Sequence, residues 1–434
     1  MGVAALYTGR GSGSPKTCKP RQKTAMAQAT DLRSGAIRSD DARVIGLVSA
    51  AHFVSHYYIL LLPPLFAFIR ADYGVSYTEL GLAIATFNIV SAAFQTPTGF
   101  LIDWIGARLL LIAGLILGAT AVLIMGLVPS FWVLVAMMAL NGLANTVYHP
   151  ADYAILSHVI SSRRIGHAFS VHTFSGMLGT AVAPASLLLL QSALGWRGAL
   201  VVAAMLGFAV AALLALRGDR LFDRAQPGKE ARAAYAGKAP NGGLRLLFSA
   251  PLLQNLLFFV LLAITSGGVS NYSVVALGAL YATPVGVANA ALSAFLLLSA
   301  LGVLAGGVLA VRTSHHAFVA SLGLVATGAA ILLVGSVDLG TVLLIAMMAA
   351  GGLANGMIMP SRDMIVRAVT PRGSYGKVFG FVTTGFNIGG IVAPPIYGAL
   401  MDHGHPRAVF LMLGIASLAA IVTVVTRARP AGAT

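Results

Sequence analysis

The sequence has few charged residues and almost no cysteine. Of its 434 residues, 28 are Lys or Arg and 13 are Asp or Glu, so charged residues make up 9% of the chain. An average soluble domain has about 25%, and this scarcity excludes an ordinary soluble protein. The single cysteine, Cys18, excludes an intrachain disulfide framework and a cysteine-rich metal site.

Apolar residues take the place of the missing charges. They form 58% of the chain, and the mean hydropathy is +0.86. A chain this apolar exceeds what one buried core can hold, so the excess must face lipid or other spans. The net charge of +15 is spread too thinly to build a nucleic-acid surface. We therefore expect membrane lipid and a small-molecule substrate as partners, and no nucleic acid.

Apolar segments of spanning length follow one another from residue 44 to residue 426, and a spanning helix needs about 20 residues. The twelve predicted spans are 44–69, 77–101, 109–128, 131–155, 167–193, 198–216, 252–278, 286–311, 316–336, 340–361, 378–401 and 408–426. Residues 1–43 are polar and basic without a signal peptide. They predict a disordered cytoplasmic tail, with Met26 as an alternative start, and residues 427–434 predict a second tail.

The basic residues determine the predicted topology. With twelve spans, all but three of the 28 Lys and Arg residues fall on one side of the membrane, and the exceptions are Arg70, Arg197 and Arg407. Cytoplasmic loops carry the excess of Lys and Arg. The sequence therefore predicts a multi-pass protein of the inner (plasma) membrane with both termini in the cytoplasm.

An internal repeat divides the chain into two halves. A shift of 210 positions gives sixteen identities in the 47 positions from 138 to 184, which indicates a duplication. The polar segment 217–250 is the predicted cytoplasmic linker between a bundle at 44–216 and a bundle at 251–426. We predict an all-α membrane protein with twelve transmembrane helices, arranged as two six-helix bundles that are parallel repeats.

One loop carries a recognisable signature. The segment Gly99-Phe-Leu-Ile-Asp103-Trp-Ile-Gly106-Ala-Arg108 resembles the cytoplasmic motif of the major facilitator superfamily, whose span count and repeat are also similar. The resemblance implies the major facilitator fold and secondary transport. It also implies that Asp103 latches a cytoplasmic gate against the N-terminus of span 11, with Arg108 as the main cation of its own half. The alternative is a helix-capping loop.

Within the superfamily, three further segments look most like fosmidomycin-resistance-type exporters. They are His52-x-x-x-His56 with Pro63-Pro64, Tyr148-His149-Pro150, and the stretch from Gly166 to Pro184. The last keeps Gly176, Gly179 and Pro184 of the antiporter motif but lacks its later glycine pair. The resemblance implies proton-coupled efflux. A proton-coupled importer of a small organic anion and a non-transporting receptor remain alternatives.

Polar residues inside the spans are the site candidates, because ionisable groups in a bilayer are costly unless they are functional or paired. Asn141, Asn145, His149 and Asp152 lie on one face of span 4. The repeat pairs Asp152 with Arg362. We expect these two to meet as part of the gate when the cytoplasmic side closes, unless Arg362 binds its neighbour Asp363 or a lipid phosphate.

Proton coupling is assigned to histidine, because the 13 acidic residues avoid the middle of the spans. Histidine titrates in the physiological range, and a plain interhelical hydrogen bond is its alternative role. The candidates for proton or substrate binding are His52, His56, Asn145, His149, His172, Asn355 and Asn387. The sequence lacks Walker, zinc-protease and serine-hydrolase motifs. We therefore expect no enzyme, no cofactor and no metal ligand in what we take to be a monomer.

Overall fold

The computed structural model describes residues 39–161, 164–217, 244–370 and 375–425. Within these residues the chain is helical apart from short connections, among them a 3-10 segment at Pro63–Leu65. The predicted linker and both predicted tails lie mostly or wholly outside the described residues, and so does the side chain of Asp103.

The described chain forms twelve helices of eight residues or more, and a four-residue helix at Leu244–Leu247. The twelve are α1 (Ser39–Ile59), α2 (Phe66–Tyr73), α3 (Tyr77–Ile105), α4 (Ala107–Leu127), α5 (Phe131–Val159), α6 (Ile165–Arg217), α7 (Ala250–Tyr281), α8 (Val285–Arg312), α9 (His316–Ser336), α10 (Gly340–Val369), α11 (Tyr375–Asp402) and α12 (Pro406–Val425). Helix α1 begins five residues before the predicted first span.

Eleven helical stretches are long and apolar enough to cross a membrane. The first, Asp41–Tyr73, joins α1 to α2 through the 3-10 segment that begins with Pro63-Pro64. The longest, α6, has 53 residues and leaves helical geometry at Gly195, with φ 73° and ψ 167°. Because about 20 residues suffice for one crossing, the two legs of α6 account for two. The protein is an all-helical membrane protein, and its described residues contain the twelve crossings expected from the sequence.

An even number of crossings brings the start of α1 and the end of α12 to the same end of the bundle, called here the terminus end. The opposite end is called the far end. The two halves meet along two pairs of helices, α3 with α11 and α6 with α8. Hydrogen bonds join the two halves at the far end, and they involve Tyr77, Thr78, Tyr272 and Asp402.

The terminus end is less tightly joined along one of these pairs. A cavity of about 630 Å³ lies between the first turns of α6 and the last turns of α8. Most of its lining is apolar, and Arg312 supplies a charge. The lining includes Phe169, Phe174, Met177, Val303, Leu304 and Arg312.

Glycines allow helices within each half to cross in backbone contact. A Cβ atom added at Gly142 would lie 2.4 Å from the carbonyl oxygen of Phe87, and one at its repeat equivalent Gly352 would lie 2.0 Å from that of Phe295. A Cβ atom at Gly302 would lie 2.3 Å from the Leu353 oxygen. These glycines therefore mark close helix packing, as expected for membrane bundles.

We expect Gly302→Ala to lower the melting temperature of the purified protein. The new methyl group would collide with a backbone oxygen of α10, and overpacking of this kind costs about 1–3 kcal/mol. Gly307→Ala, on the same helix, is the matched control because its added Cβ has nothing within 4 Å. Thermal melts monitored by size-exclusion chromatography would test this. Equal melting temperatures for the two variants would contradict it.

Candidate functional site

Four histidines and one aspartate meet where α1, α5 and α6 pack together. Helix α1 supplies His52 and His56, one turn apart on one face, as their spacing predicts. Helix α5 supplies His149 and Asp152, and α6 supplies His172. The sequence identified all five residues as candidates, but it assigned Asp152 to the gate and the histidines to proton or substrate binding. The structure brings the five together in one group, called here the His–Asp cluster.

Asp152 is the central residue of the His–Asp cluster. Its side chain is 0% exposed, and its Oδ2 atom lies 3.0 Å from His172 Nε2 and 3.3 Å from His52 Nδ1. The other carboxylate oxygen, Oδ1, has no hydrogen-bond partner in the described structure. A buried carboxylate needs a donor or a cation to compensate for its lost hydration. The two imidazoles are in position to provide one.

Although the acidic residues avoid the middle of the predicted spans, the side chain of Asp152 is fully buried. The apolar pattern ends span 4 near residue 155, close to Asp152. Helix α5 continues to Val159, seven residues beyond the aspartate. Asp152 is therefore about two helical turns from the end of α5, at 3.6 residues per turn. The structure thus places a buried carboxylate beside the candidate histidines.

Gly176 of α6 makes room for the two histidines of α1. A Cβ atom at this position would lie 2.4 Å from His52 Cδ2 and 3.0 Å from His56 Cδ2. A side chain at 176 would therefore displace both rings. Gly176, which lies in the motif between Gly166 and Pro184, is therefore required for the cluster.

His56 lies beside His52 on the side of Thr180. Its Nδ1 atom is 3.2 Å from Thr180 Oγ1, and the two histidine rings are 4.5 Å apart between centroids. Its Nε2 atom has no hydrogen-bond partner among the described residues. The sequence gives no sign of this contact of Thr180, because a threonine in a span usually bonds to its own helix, as this one also does at Gly176 O.

His149 connects the cluster to a more accessible surface. Its ring packs edge-on against His52, with 4.9 Å between centroids, and its side chain is partly exposed. His52 and His172 are buried and stack at 3.8 Å. The five groups therefore form a continuous set, from a buried carboxylate through imidazoles to a partly exposed ring.

The imidazole nitrogens and carboxylate oxygens of the cluster are also close enough to one another to be considered as ligands of a metal ion. The ligand atoms of His52, His56 and His149 lie within 4.8 Å of one another, and so do those of His52, Asp152 and His172. The hydrogen bond between His172 and Asp152 accounts for the second group without an ion. We assign no metal to the site.

The three asparagine candidates lie apart from the His–Asp cluster. Asn355 is buried, donates to Ser299 Oγ at 3.1 Å and accepts from Ser266 Oγ at 3.0 Å, so it ties α10 to α8 and α7. Asn387 on α11 and Asn145 on α5 are partly buried. The structure does not bring these three amides into the His–Asp cluster.

In this conformation, Arg362 binds its neighbour rather than Asp152. Its Nε and NH2 atoms lie 2.9 Å and 2.8 Å from Asp363 Oδ1, and its guanidinium stacks 4.7 Å from the Phe259 ring centroid. Asp152 is instead occupied by histidines. This is the alternative partner that the sequence left open for Arg362, and the pair of Asp152 with Arg362 remains a prediction for a conformation closed at the terminus end.

The signature loop between α3 and α4 is only partly described. Gly106 has φ 105° and ends α3, so a residue tolerant of positive φ is needed there. Gly99 lies in α3 with open space around it. Arg108 NH2 donates to the carbonyl oxygen of Ala215 at 3.1 Å, within the same half. The side chain of Asp103 lies outside the described structure, so its gating role remains a prediction.

Two solved structures share this fold over most of the chain. A bacterial homologue of the human lysosomal transporter Spinster aligns with a TM-score of 0.71 at 14% identity, and covers 90% of this chain and 96% of its own. The nucleoside transporter NupG aligns with a TM-score of 0.70 at 15% identity, with 89% and 98% covered.

Curated relatives match shorter segments. A probable L-galactonate transporter of Escherichia coli is 26% identical over 143 residues, which is 33% of this chain and 32% of that protein. The fosmidomycin resistance protein of the same organism is 22% identical over 141 residues, with 32% and 34% covered. The alignments thus span about a third of the length of these two relatives.

A family model covers the whole membrane region. The Major Facilitator Superfamily model matches residues 48–288 and 256–434. Both halves of the repeat are included. The family match, the twelve crossings and the agreement with solved transporters lead to one conclusion: the chain is a multi-pass membrane transporter of the Major Facilitator Superfamily.

Proposed function

We propose that this transporter exports a small organic solute in exchange for protons, and that the His–Asp cluster carries the proton. The observation that supports this most is the fully buried Asp152 carboxylate with His172 Nε2 at 3.0 Å and His52 Nδ1 at 3.3 Å. The protein lies in the plasma membrane with its termini in the cytoplasm, as the distribution of basic residues favours.

A buried carboxylate–imidazole pair is well suited to bind and release a proton. Inside the bundle an unpaired charge is costly, so a proton on the imidazole and the charge on Asp152 stabilise each other. Histidine changes charge in the physiological range. A movement that separates α5 from α1 or α6 would remove this mutual stabilisation. Proton release would then follow the change of conformation that moves the solute.

The partly exposed imidazoles complete the proposed proton route. His149 is in ring contact with His52 and reaches a more accessible surface, and His56 adds a ring with an unpartnered Nε2. Protons would enter at His149 and reach Asp152 through His52. Proton binding, which the sequence predicts for the histidines, thus also involves the carboxylate of Asp152.

Export is favoured over import by the resemblance of the histidine segments to fosmidomycin-resistance-type exporters, and one of the matching relatives is a fosmidomycin resistance protein.

Import of a small organic anion is the second candidate, favoured by the match to a probable L-galactonate transporter. A receptor that has lost transport would bind solute without flux. Proteoliposomes with pH gradients of either sign, tested with radiolabelled fosmidomycin and L-galactonate, distinguish the three.

We expect Asp152→Asn, and the triple variant His52→Gln, His56→Gln, His149→Gln, to lose gradient-driven flux. The reduction should be about tenfold or more, because proton transfer has lost its acceptors. Counterflow of the same solute without a pH gradient should continue in the triple variant, which keeps the Asp152 carboxylate, since counterflow needs the conformational change but no net proton movement. Flux in proteoliposomes measures both modes.

A matched control uses the exposed His158 in the last turn of α5. His158→Gln should leave both modes unchanged, because this ring lies outside the His–Asp cluster. Gradient-driven flux at the wild-type rate in Asp152→Asn and in the triple variant would show that the cluster does not couple protons.

The proposed pair of Asp152 with Arg362 is tested by charge reversal. If the two meet when the terminus end closes, Asp152→Arg and Arg362→Asp should each slow counterflow, and the double variant should recover part of it. Counterflow is the proper measurement because gradient-driven flux also depends on Asp152. A double variant no faster than either single variant would count against the pair.

A further inference from the structure

The first turn of α3 depends on the opposite half of the protein for its hydrogen bonds. The first N–H groups of a helix have no partner within it. Ser76 Oγ accepts from Glu79 N at 3.1 Å, and Glu79 Oε2 accepts in return from Ser76 N at 2.7 Å, which forms a capping box. This box leaves the N–H groups of Tyr77 and Thr78 without an acceptor from their own half.

Asp402, the last residue of α11, provides both acceptors. Its Oδ1 accepts from Tyr77 N at 2.8 Å, and its Oδ2 accepts from Thr78 N at 2.8 Å and from Thr78 Oγ1 at 2.6 Å. The bonded residues are 324 and 325 positions apart in the sequence. Three hydrogen bonds to one carboxylate thus join the two halves at the far end.

The position of Asp402 is unfavourable for its own helix. A negative charge at a helix C-terminus is repelled by the helix dipole, whereas the same charge at an N-terminus is stabilised. The start of α3 offers that stabilisation. The turn after α11 keeps the residue there, because Gly404 has φ 75° and His405 N donates to Leu400 O at 2.8 Å.

The surrounding contacts show that the far end is closed in this conformation. Tyr272 of α7 donates to the carbonyl oxygen of Tyr77 at 2.9 Å. A Cβ atom at Gly81 would lie 2.5 Å from Pro394 O, and one at Gly398 would lie 2.4 Å from Tyr77 O. The backbones of α3 and α11 therefore touch beside Asp402, and the far end cannot open without separating this carboxylate from α3.

We propose that Asp402 is a latch that holds the transporter closed at its far end. The inference rests on alternating access, as in the proposed function, since a latch requires a second conformation in which these bonds are broken. In that conformation the carboxylate becomes hydrated and the first turn of α3 loses two acceptors. Asp402 acts by stabilising one conformation, and it has no contact with the His–Asp cluster.

The latch and the predicted contact of the signature loop are of the same kind, a carboxylate at a helix N-terminus, at opposite ends of the bundle. Helices α3 and α11 run antiparallel, so each presents its N-terminus next to the end of the other. The family resemblance predicts that Asp103, near the end of α3, binds the start of α11 at the terminus end. Asp402 makes the corresponding contact at the far end, from the end of α11 to the start of α3.

The test measures the opening of the far end directly. Spin labels are placed at Val128→Cys and Val337→Cys, exposed positions at the far end of the two halves, in a Cys18→Ser chain reconstituted in nanodiscs. Pulsed electron paramagnetic resonance gives the ratio of long to short distances. We expect Asp402→Ala and Asp402→Asn to raise this ratio by about tenfold, because the charge-assisted bonds are lost.

Graded variants separate a latch from a general loss of stability. Asp402→Glu should keep part of the closed population, and Thr78→Val should raise the ratio by less than Asp402→Ala because only the hydroxyl donor is removed. Asp72→Asn is the matched control. Its carboxylate lies at the same end but binds Arg197 and, at 3.2 Å, Trp196 Nε1 of its own half. We expect it to lower the melting temperature without changing the ratio.

Three outcomes decide the question. A raised ratio in the Asp402 and Thr78 variants, with an unchanged ratio in Asp72→Asn, supports the latch. Two distance populations in the wild type that the Asp402 variants leave unaltered would overturn the latch while alternating access stands. A single population in the wild type and in every variant, at all pH values between 5 and 8, would overturn alternating access and the latch with it.

Discussion

The absence of water from the bilayer core constrains every polar group in this protein. A donor or acceptor inside the hydrocarbon region must find its partner within the chain. The apolar segments satisfy this constraint by forming helices, whose backbone groups form hydrogen bonds within the helix. The few polar side chains satisfy it by bonding to one another, such as Asn355 with Ser266 and Ser299, and Asp152 with His172. The architecture of the sites follows from where these partners are available.

Much of the fold could be predicted from the sequence, because hydropathy and charge act along the chain. The spans follow from local hydropathy, and the repeat follows from identities between the two halves. The clustering of His52 and His56 also follows, since a spacing of four residues places both on one helix face. The bundle then brings His149 and His172 to the same place.

What the sequence could not predict depends on depth and on distant contacts. Polar residues near the end of α5 lower its hydropathy, so the apolar run stops before the helix does. The burial of Asp152 depends on His52 and His172 of other helices, which the local pattern does not show. The polar pattern predicts a tail that includes Asp41, whereas the structure has Asp41 in α1, paired with Arg164 at 2.9 Å. Asp402 gave no signal at all, because its partners are more than 300 positions away in the sequence.

The hydrogen bonds of the α3 start have a consequence for observing this protein at work. Two backbone amides, those of Tyr77 and Thr78, find their acceptors only across the interface between the halves. Whenever the halves part at the far end, these amides face solvent and exchange their hydrogens. The deuterium uptake of this single helical turn therefore reports the time that the unlabelled protein spends open at the far end.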